Sequence, residues 1–586
     1  MKLNGKICII GVCFLMAKPL FSQNLFLELN LNSPVMQNMV RSMHPKPVLE
    51  MYRVIERAGS DKKIAGIILN VSSYHAEQDT LWDLRSALEK FKSKGKKICA
   101  FIGSADLDLY CLATVADKIV MDDVGILTML GYSWGRSYIM HSLEKLGIGT
   151  RELRYLEYKS GAESYTRDSM SDADRRQYGE ILDTVYSLTR EKVTRARSWT
   201  EEEFDTVLNE EFMFSAKSAL ARGLVDRIGR KEAVLETVRE MAGDSEFDSF
   251  YLYGETESSL TESKYIYGPP RAGSLFKKPP RIAVIYAGGM TDMERGIAAL
   301  NLAQTIKEVS EKKRIKAIVL RISSPGGSAE AADYVAEAIK AAKKKIPVVV
   351  SMGSVAASGG YWASMSANHI VASPVTLTGS IGVIGTWFYD KGLNSKLGLT
   401  VDSMQRGNHA DLMTGVILPR RDLSEAEEAR YREYILDMYG GFVARVAENR
   451  KMDIEKVESL AQGRVYSGIA AFNAGLVDSL GGLDDAVRIA RNLAEIPDDI
   501  KVAYREYPKP KFFEKMLDRI VSGMIFSGRA KTSAADTASF AANLFFPQPS
   551  AAGPLLDELG YRISHNGQVM PVLPLESGIN AGWQAK

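Results

Sequence analysis

The chain has 586 residues, 46% of them hydrophobic, and its 74 Lys and Arg against 72 Asp and Glu leave a net charge of +2. That length exceeds one ordinary domain and that apolar content suffices for sizeable cores, which sets aside a disordered or low-complexity chain. The near-neutral balance gives no electrostatic case for nucleic acid or for acidic partners.

In chain order, residues 1–22 read as a leader. Lys2 and Lys6 precede an apolar stretch from Ile7 to Met16, followed by Pro19 and Ser22. A basic start, a short apolar core and a small residue near a cut make a secretory signal, expected to be cleaved near Ser22. The apolar stretch is shorter than the roughly 20 residues of a spanning helix, and Lys18 interrupts it. A short N-terminal anchor is the rival reading; both place the body of the protein outside the cytoplasm.

Residues 23–242 alternate β-rich apolar runs with helical ones. Cys99 lies in one such run, Lys97–Phe101, where packing is expected rather than a disulfide, and no zinc spacing appears among the four cysteines. Residues 243–280, rich in Ser, Glu, Gly and Tyr and ending Lys277-Lys278-Pro279-Pro280, read as a linker. Residues 281–495 alternate again. Ile315–Ile322 predicts a buried strand and Ala329–Lys343 a helix, with Ala332, Val335, Ala336 and Ile339 on one face. Pro347 marks a break before the strand Val348–Met352. Strand, helix, strand in that order predicts an α/β protein of parallel sheets with crossover helices. Residues 496–586 form a C-terminal extension. In it Phe512, Phe513, Met516, Leu517, Ile520, Val521 and Met524 fall at helical spacing.

The two alternating regions are one domain written twice. Ile64–Leu69 matches Ile315–Leu320 at an offset of 251, Ala116–Val120 matches Ala367–Val371 at the same offset, and Gly223-Leu224-Val225-Asp226 matches Gly475-Leu476-Val477-Asp478 at 252. The copies differ where chemistry is at stake. The second has Ser358, in Ala356-Ala357-Ser358-Gly359-Gly360, where the first has Leu107; the first has Lys159 where the second has Ala410.

Ser358 follows a strand and opens a helix, where free N–H groups and the helix dipole favour developing negative charge. An isolated Ser-Gly-Gly would serve equally as a helix N-cap. Ser324-Pro325-Gly326-Gly327-Ser328 joins a buried strand to a helix, and its glycines can turn backbone N–H groups toward a substrate oxygen. The first copy has Ser73-Tyr74-His75-Ala76-Glu77 there, so the turn itself does not demand Pro-Gly-Gly. Ser380, in Thr378-Gly379-Ser380-Ile381-Gly382, matches Met129, so this hydroxyl too is found only beside the nucleophile. A lysine acting as base must be neutral, so burial must pull its pKa well below the reference of about 10.4. Among six histidines, His409 lies beside the position matching Lys159 and is the reserve base.

These strings, together with Tyr158-Lys159-Ser160, resemble the long, duplicated form of the signal peptide peptidase A family. The resemblance implies tandem Clp-protease/crotonase-like domains and a serine endopeptidase. It implies Ser358 as nucleophile, Lys159 as general base, Ser380 orienting the lysine, and the Gly327 and Gly359 backbone N–H groups as oxyanion donors. It further implies a homotetramer at the outer face of the inner membrane, in the periplasm, that digests released signal peptides without cofactor or metal. The short leader departs from the family's longer anchor. Two rival functions are a crotonase-type enzyme acting on acyl thioesters, which needs no Ser–Lys pair, and an inactive scaffold.

Overall fold

The computed structural model describes residues 25–31, 46–62, 64–72, 76–242, 250–253, 279–508 and 569–570. The leader, Tyr74-His75 and the helical-spaced stretch from Phe512 to Met524 lie outside them.

The first copy contributes strands β1 (Leu25–Asn30), β2 (Ile64–Asn70), β3 (Lys97–Ile102), β4 (Lys118–Met121), β5 (Ile126–Thr128), β6 (Ile148–Leu153), β7 (Met213–Ser215), β8 (Arg227–Ile228) and β9 (Phe250–Tyr253). The second contributes β10 (Arg281–Gly288), β11 (Ile315–Ser324), β12 (Val348–Ala357), β13 (His369–Ala372), β14 (Leu377–Gly379), β15 (Ile384–Asp390), β16 (Val465–Ser467), β17 (Ser479–Leu480) and β18 (Ala503–Tyr507). The first sheet runs β8-β4-β3-β2-β1-β9, every pair parallel. The second repeats that order as β17-β13-β12-β11-β10-β18, with β14 and β16 added beside the far end of β12. Near-continuous apolar runs such as Ile64–Leu69 form these strands because helices cover both faces of a parallel sheet. The chain is a tandem of two parallel α/β domains with the same strand order, as the repeat predicts.

Two boundaries need correction. Residues 243–280 are not all linker, because β9 lies within them and pairs with β1, Phe26 opposite Phe250. Nor does the second unit end at 495: β18 pairs with β10, Ile282 opposite Tyr504, and is the repeat partner of β9. Both are edge strands with one neighbour. An edge strand needs no unbroken apolar run, so polar residues such as Arg505 and Glu506 mask it in the sequence. Two predicted strands are also longer than their apolar cores. β12 continues through Ala357, directly to Ser358, and β11 continues through Ser324.

The copies are joined inside one chain. β6 of the first pairs antiparallel with β15 of the second, from Gly385 opposite Leu153 to Asp390 opposite Ile148. The helix Leu483–Leu493 buries Leu483, Ala486, Val487 and Ala490 in a core shared with Leu49, Ile55 and Leu84 of the first copy. Arg321 of β11 reaches across to Asp79, while donating to Ser351 Oγ and the Met352 carbonyl at 2.8 Å each. Cys99 is buried in β3 as a free thiol.

Candidate active site

Ser358 stands where β12 ends and the helix Gly359–Ser364 begins. Its amide donates to the Gly379 carbonyl (2.8 Å), and its own carbonyl accepts from Trp362 N–H (2.8 Å). Held from both sides, it adopts φ = 56°, ψ = −114° and is fully buried. A side chain in that region costs on the order of 1–3 kcal/mol and persists only where the surroundings over-determine it. The N-cap alternative fails: Ser358 occupies the cap position, but its side chain makes no cap hydrogen bond. The first copy's corresponding helix has a working cap one residue earlier, where Asp106, just before Leu107, accepts from Leu109 N–H (2.9 Å).

Lys159 arrives from the other copy. β6 lies against β15, and the chain then turns so that Tyr158 N–H donates to the Gln462 carbonyl (2.9 Å). Lys159 Nζ lies 2.6 Å from Ser358 Oγ and donates to Ser380 Oγ and the Ser380 carbonyl, 2.9 Å each. The lysine is 1% exposed. Ser380, just after β14, also has positive φ (51°), and its N–H donates to the Arg464 carbonyl (2.7 Å). Three side chains singled out by comparing the repeats therefore meet, and they do so within one chain.

A buried polar network fixes the lysine turn. Ser160 Oγ donates to Asp174, whose carboxylate also accepts from Gln177 (3.1 Å) and Arg136 (3.2 Å). Arg136 donates to the Ser160 carbonyl (3.1 Å) and Gln177 to the Tyr158 carbonyl (3.2 Å). Burial pushes the Asp174 carboxyl up, against the pull of Arg136. Gln177 Oε1 accepts from Val465 N–H (3.0 Å), tying the lysine segment to the second copy. Of these only Ser160 lies in a string singled out from the sequence; Asp174 and Gln177, on the helix Asp172–Arg197, and Arg136 are brought to it by the fold.

The glycine turn closes the opposite side. Gly326 and Gly327 have φ of 108° and 151°. A Cβ at Gly327 would strike the Thr291 carbonyl oxygen at 2.2 Å, and one at Gly359 would come within 3.2 Å of Gly327 N. Gly327, whose N–H the motifs name, thus packs against Gly359, the residue that follows Ser358 and carries the other named N–H. His409 lies outside that network, with Nδ1 2.8 Å from Glu427 Oε1; the candidate that reaches Ser358 Oγ is Lys159. In the first copy Leu107 replaces Ser358 and Met129 replaces Ser380, both buried. Asp108 stands in place of Gly359 and accepts from Tyr132 OH (2.6 Å) and Gln78 Nε2 (3.1 Å). Among the described residues, no group of three or more His, Cys, Asp or Glu could hold a metal ion, and no helix is long and apolar enough to cross a membrane.

The arrangement can deliver a buried hydroxyl with an amine as its proton acceptor, facing paired amide N–H groups. The model of peptidase family S49 matches residues 90–244 and 340–497. The chain is 30% identical to the chloroplastic serine protease SPPA of Arabidopsis thaliana over 80% of its own length and 68% of that protein's. It is 32% identical to Protease 4 of Salmonella typhi over 82% of its length and 77% of the other. The solved 1510-N membrane-bound stomatin-specific protease aligns at 16% identity and a TM-score of 0.27, covering 42% of this chain and 99% of that one.

Proposed function

The chain belongs to peptidase family S49 and is a serine peptidase, and we propose that it cleaves extended apolar peptides with Ser358 as nucleophile and Lys159 as general base. The observation that carries this is the 2.6 Å approach of Lys159 Nζ to Ser358 Oγ in a buried site. With the amine neutral, its two N–H groups donate to Ser380 Oγ and the Ser380 carbonyl, leaving the lone pair for the Ser358 proton. Ser358 Oγ attacks the scissile carbonyl, and the resulting oxyanion is held by the Gly327 and Gly359 N–H groups. Lys159 then passes the proton to the departing amine, giving an acyl-enzyme. A water, deprotonated by the same lysine, releases the acyl group and frees Ser358.

Apolar substrates are supported by the partly exposed Trp134 and Val355, which present apolar surface near the nucleophile and rest on a buried cluster of Tyr178, Ile181, Ala357, Leu377 and Val465. That surface, with the leader at residues 1–22, suits cleaved signal peptides met outside the cytoplasm, at the outer face of the inner membrane. A crotonase-type reaction gives the serine–lysine contact no task.

The proposal includes a ring of four chains, supported by reciprocal exposure in the repeats. Val124, Ile126 and Met213 of the first copy are exposed, while their counterparts Val375, Leu377 and Val465 are buried, the last two against Tyr178 and Ile181 of the first copy. Conversely, Met404, Met413 and Val416 are exposed, while their counterparts Leu153, Ala162 and Tyr165 are buried. A second chain set head to tail would cover both sets through the contact already made within the chain.

The test is chemical. A fluorophosphonate probe followed by peptide mapping should label Ser358, and Ser358→Ala and Lys159→Ala should each lose peptidase activity while keeping the wild-type Tm. Near-wild-type turnover in either variant would overturn the dyad.

A further inference from the structure

We propose that Thr291 is a positioning residue for the oxyanion site, holding the Gly326–Gly327 turn against Gly359. This rests on reading the Gly327 and Gly359 N–H groups as oxyanion donors. Thr291 is fully buried in the segment between β10 and the helix Ala299–Ser310. Its backbone brackets Gly327: Thr291 N–H donates to the Gly326 carbonyl, and the Thr291 carbonyl accepts from Ser328 N–H, both at 2.7 Å. With the groups on either side engaged on Thr291, the peptide planes flanking Gly327 have a fixed orientation. A side chain at Gly327 has no room, since its Cβ would fall 2.2 Å from the Thr291 carbonyl oxygen.

The Thr291 side chain serves both donors. Its hydroxyl is 2.9 Å from Ser324 Oγ, and Ser324 Oγ accepts from Gly326 N–H at 3.3 Å. The same hydroxyl would be 3.1 Å from a Cβ on Gly359, so it lies against the second donor's residue. One buried hydroxyl therefore links the start of the turn to the start of the helix that follows Ser358.

The experiment compares Thr291→Val, Thr291→Ser and Gly359→Ala with the full-length wild type. It measures kcat and KM on a fluorogenic apolar peptide, the Ki of the corresponding peptide aldehyde, and Tm. The aldehyde adds to Ser358 and puts its own oxyanion where the substrate's would form. Loss of a whole donor costs about 10²–10³ in rate. A displaced pair should cost less, so Thr291→Val should lower kcat about 10- to 100-fold. KM should stay within about twofold, the aldehyde Ki should rise in proportion to the fall in kcat, and Tm should stay near wild type. Thr291→Ser should restore most of kcat and the aldehyde affinity. An unchanged kcat in Thr291→Val overturns the proposal, as does a lower kcat with an unchanged aldehyde Ki. Gly359→Ala separates the two levels, because its Cβ intrudes on the donor pair. If it weakens the aldehyde while Thr291→Val does not, only the role of Thr291 falls. If neither does, the oxyanion reading falls with it.

Discussion

Replacing Gly463 with alanine should disable the peptidase while leaving it folded. Gly463 has φ = 82°, so an alanine there takes left-handed backbone at a cost of about 1–2 kcal/mol. Its Cβ would lie 2.6 Å from Lys159 Cβ and 2.7 Å from both Lys159 Cα and N. Ordinary contact between carbons is about 3.5–4.0 Å, so the two segments must separate by roughly 1 Å. Lys159 Nζ starts 2.6 Å from Ser358 Oγ, and a retreat of that size takes it to the edge of hydrogen-bond range. A misplacement of about 1 Å can cost on the order of 10² in rate. In the first copy the matching residue beside β7, Glu211, ends a π-helical turn without left-handed backbone, and no lysine docks there, so this conformation belongs to the copy that seats Lys159. The assay is kcat/KM on a fluorogenic peptide beside a thermal melt. A roughly 100-fold loss with Tm lowered by a few degrees is expected. A Gly463→Ala enzyme within about threefold of wild type would refute the idea that this contact seats the lysine.

Other outcomes follow from the same geometry. Activity should rise with pH as Lys159 loses its proton, and His409→Ala should leave that limb in place; loss of both limb and activity would make histidine the base. Burial pushes the Asp108 carboxyl up to about 6, against the hydrogen bonds from Tyr132 and Gln78. The folded protein therefore holds that proton more tightly than an unfolded aspartate of pKa about 3.9, and its stabilisation, present below about pH 4, is lost as pH rises through about 6. Asp108→Asn should accordingly gain Tm relative to wild type between pH 4 and pH 7, and a flat difference would count against that burial. Light scattering of the intact protein should give a mass near four chains. Charged substitutions at Val124 and Met404 should lower it; a monomer in the wild type would remove the ring.

The sequence by itself determined the duplication, the parallel α/β architecture and the identities of Ser358, Lys159 and Ser380. Each of these is local or repeated. Apolar runs mark strands buried on both faces, and the first copy acts as a control that tells residues kept for folding from residues kept for chemistry. Pro-Gly-Gly, a serine and a small turn would each have passed as ordinary turn or cap residues had the chain held one copy. The tertiary structure decided the rest. The edge strands β9 and β18 take their conformation from one neighbour, β1 or β10; β9 is only four residues long and β18 carries polar residues, so neither gives an apolar run of strand length. Gly463, Thr291 and the Ser160–Asp174–Gln177–Arg136 network act through contacts between elements far apart in the chain, which leave no spacing to read. Even at Ser358 the decisive property is conformational. Its positive φ turns the hydroxyl from a helix cap toward Lys159, and that geometry is imposed by hydrogen bonds from β14 and the following helix.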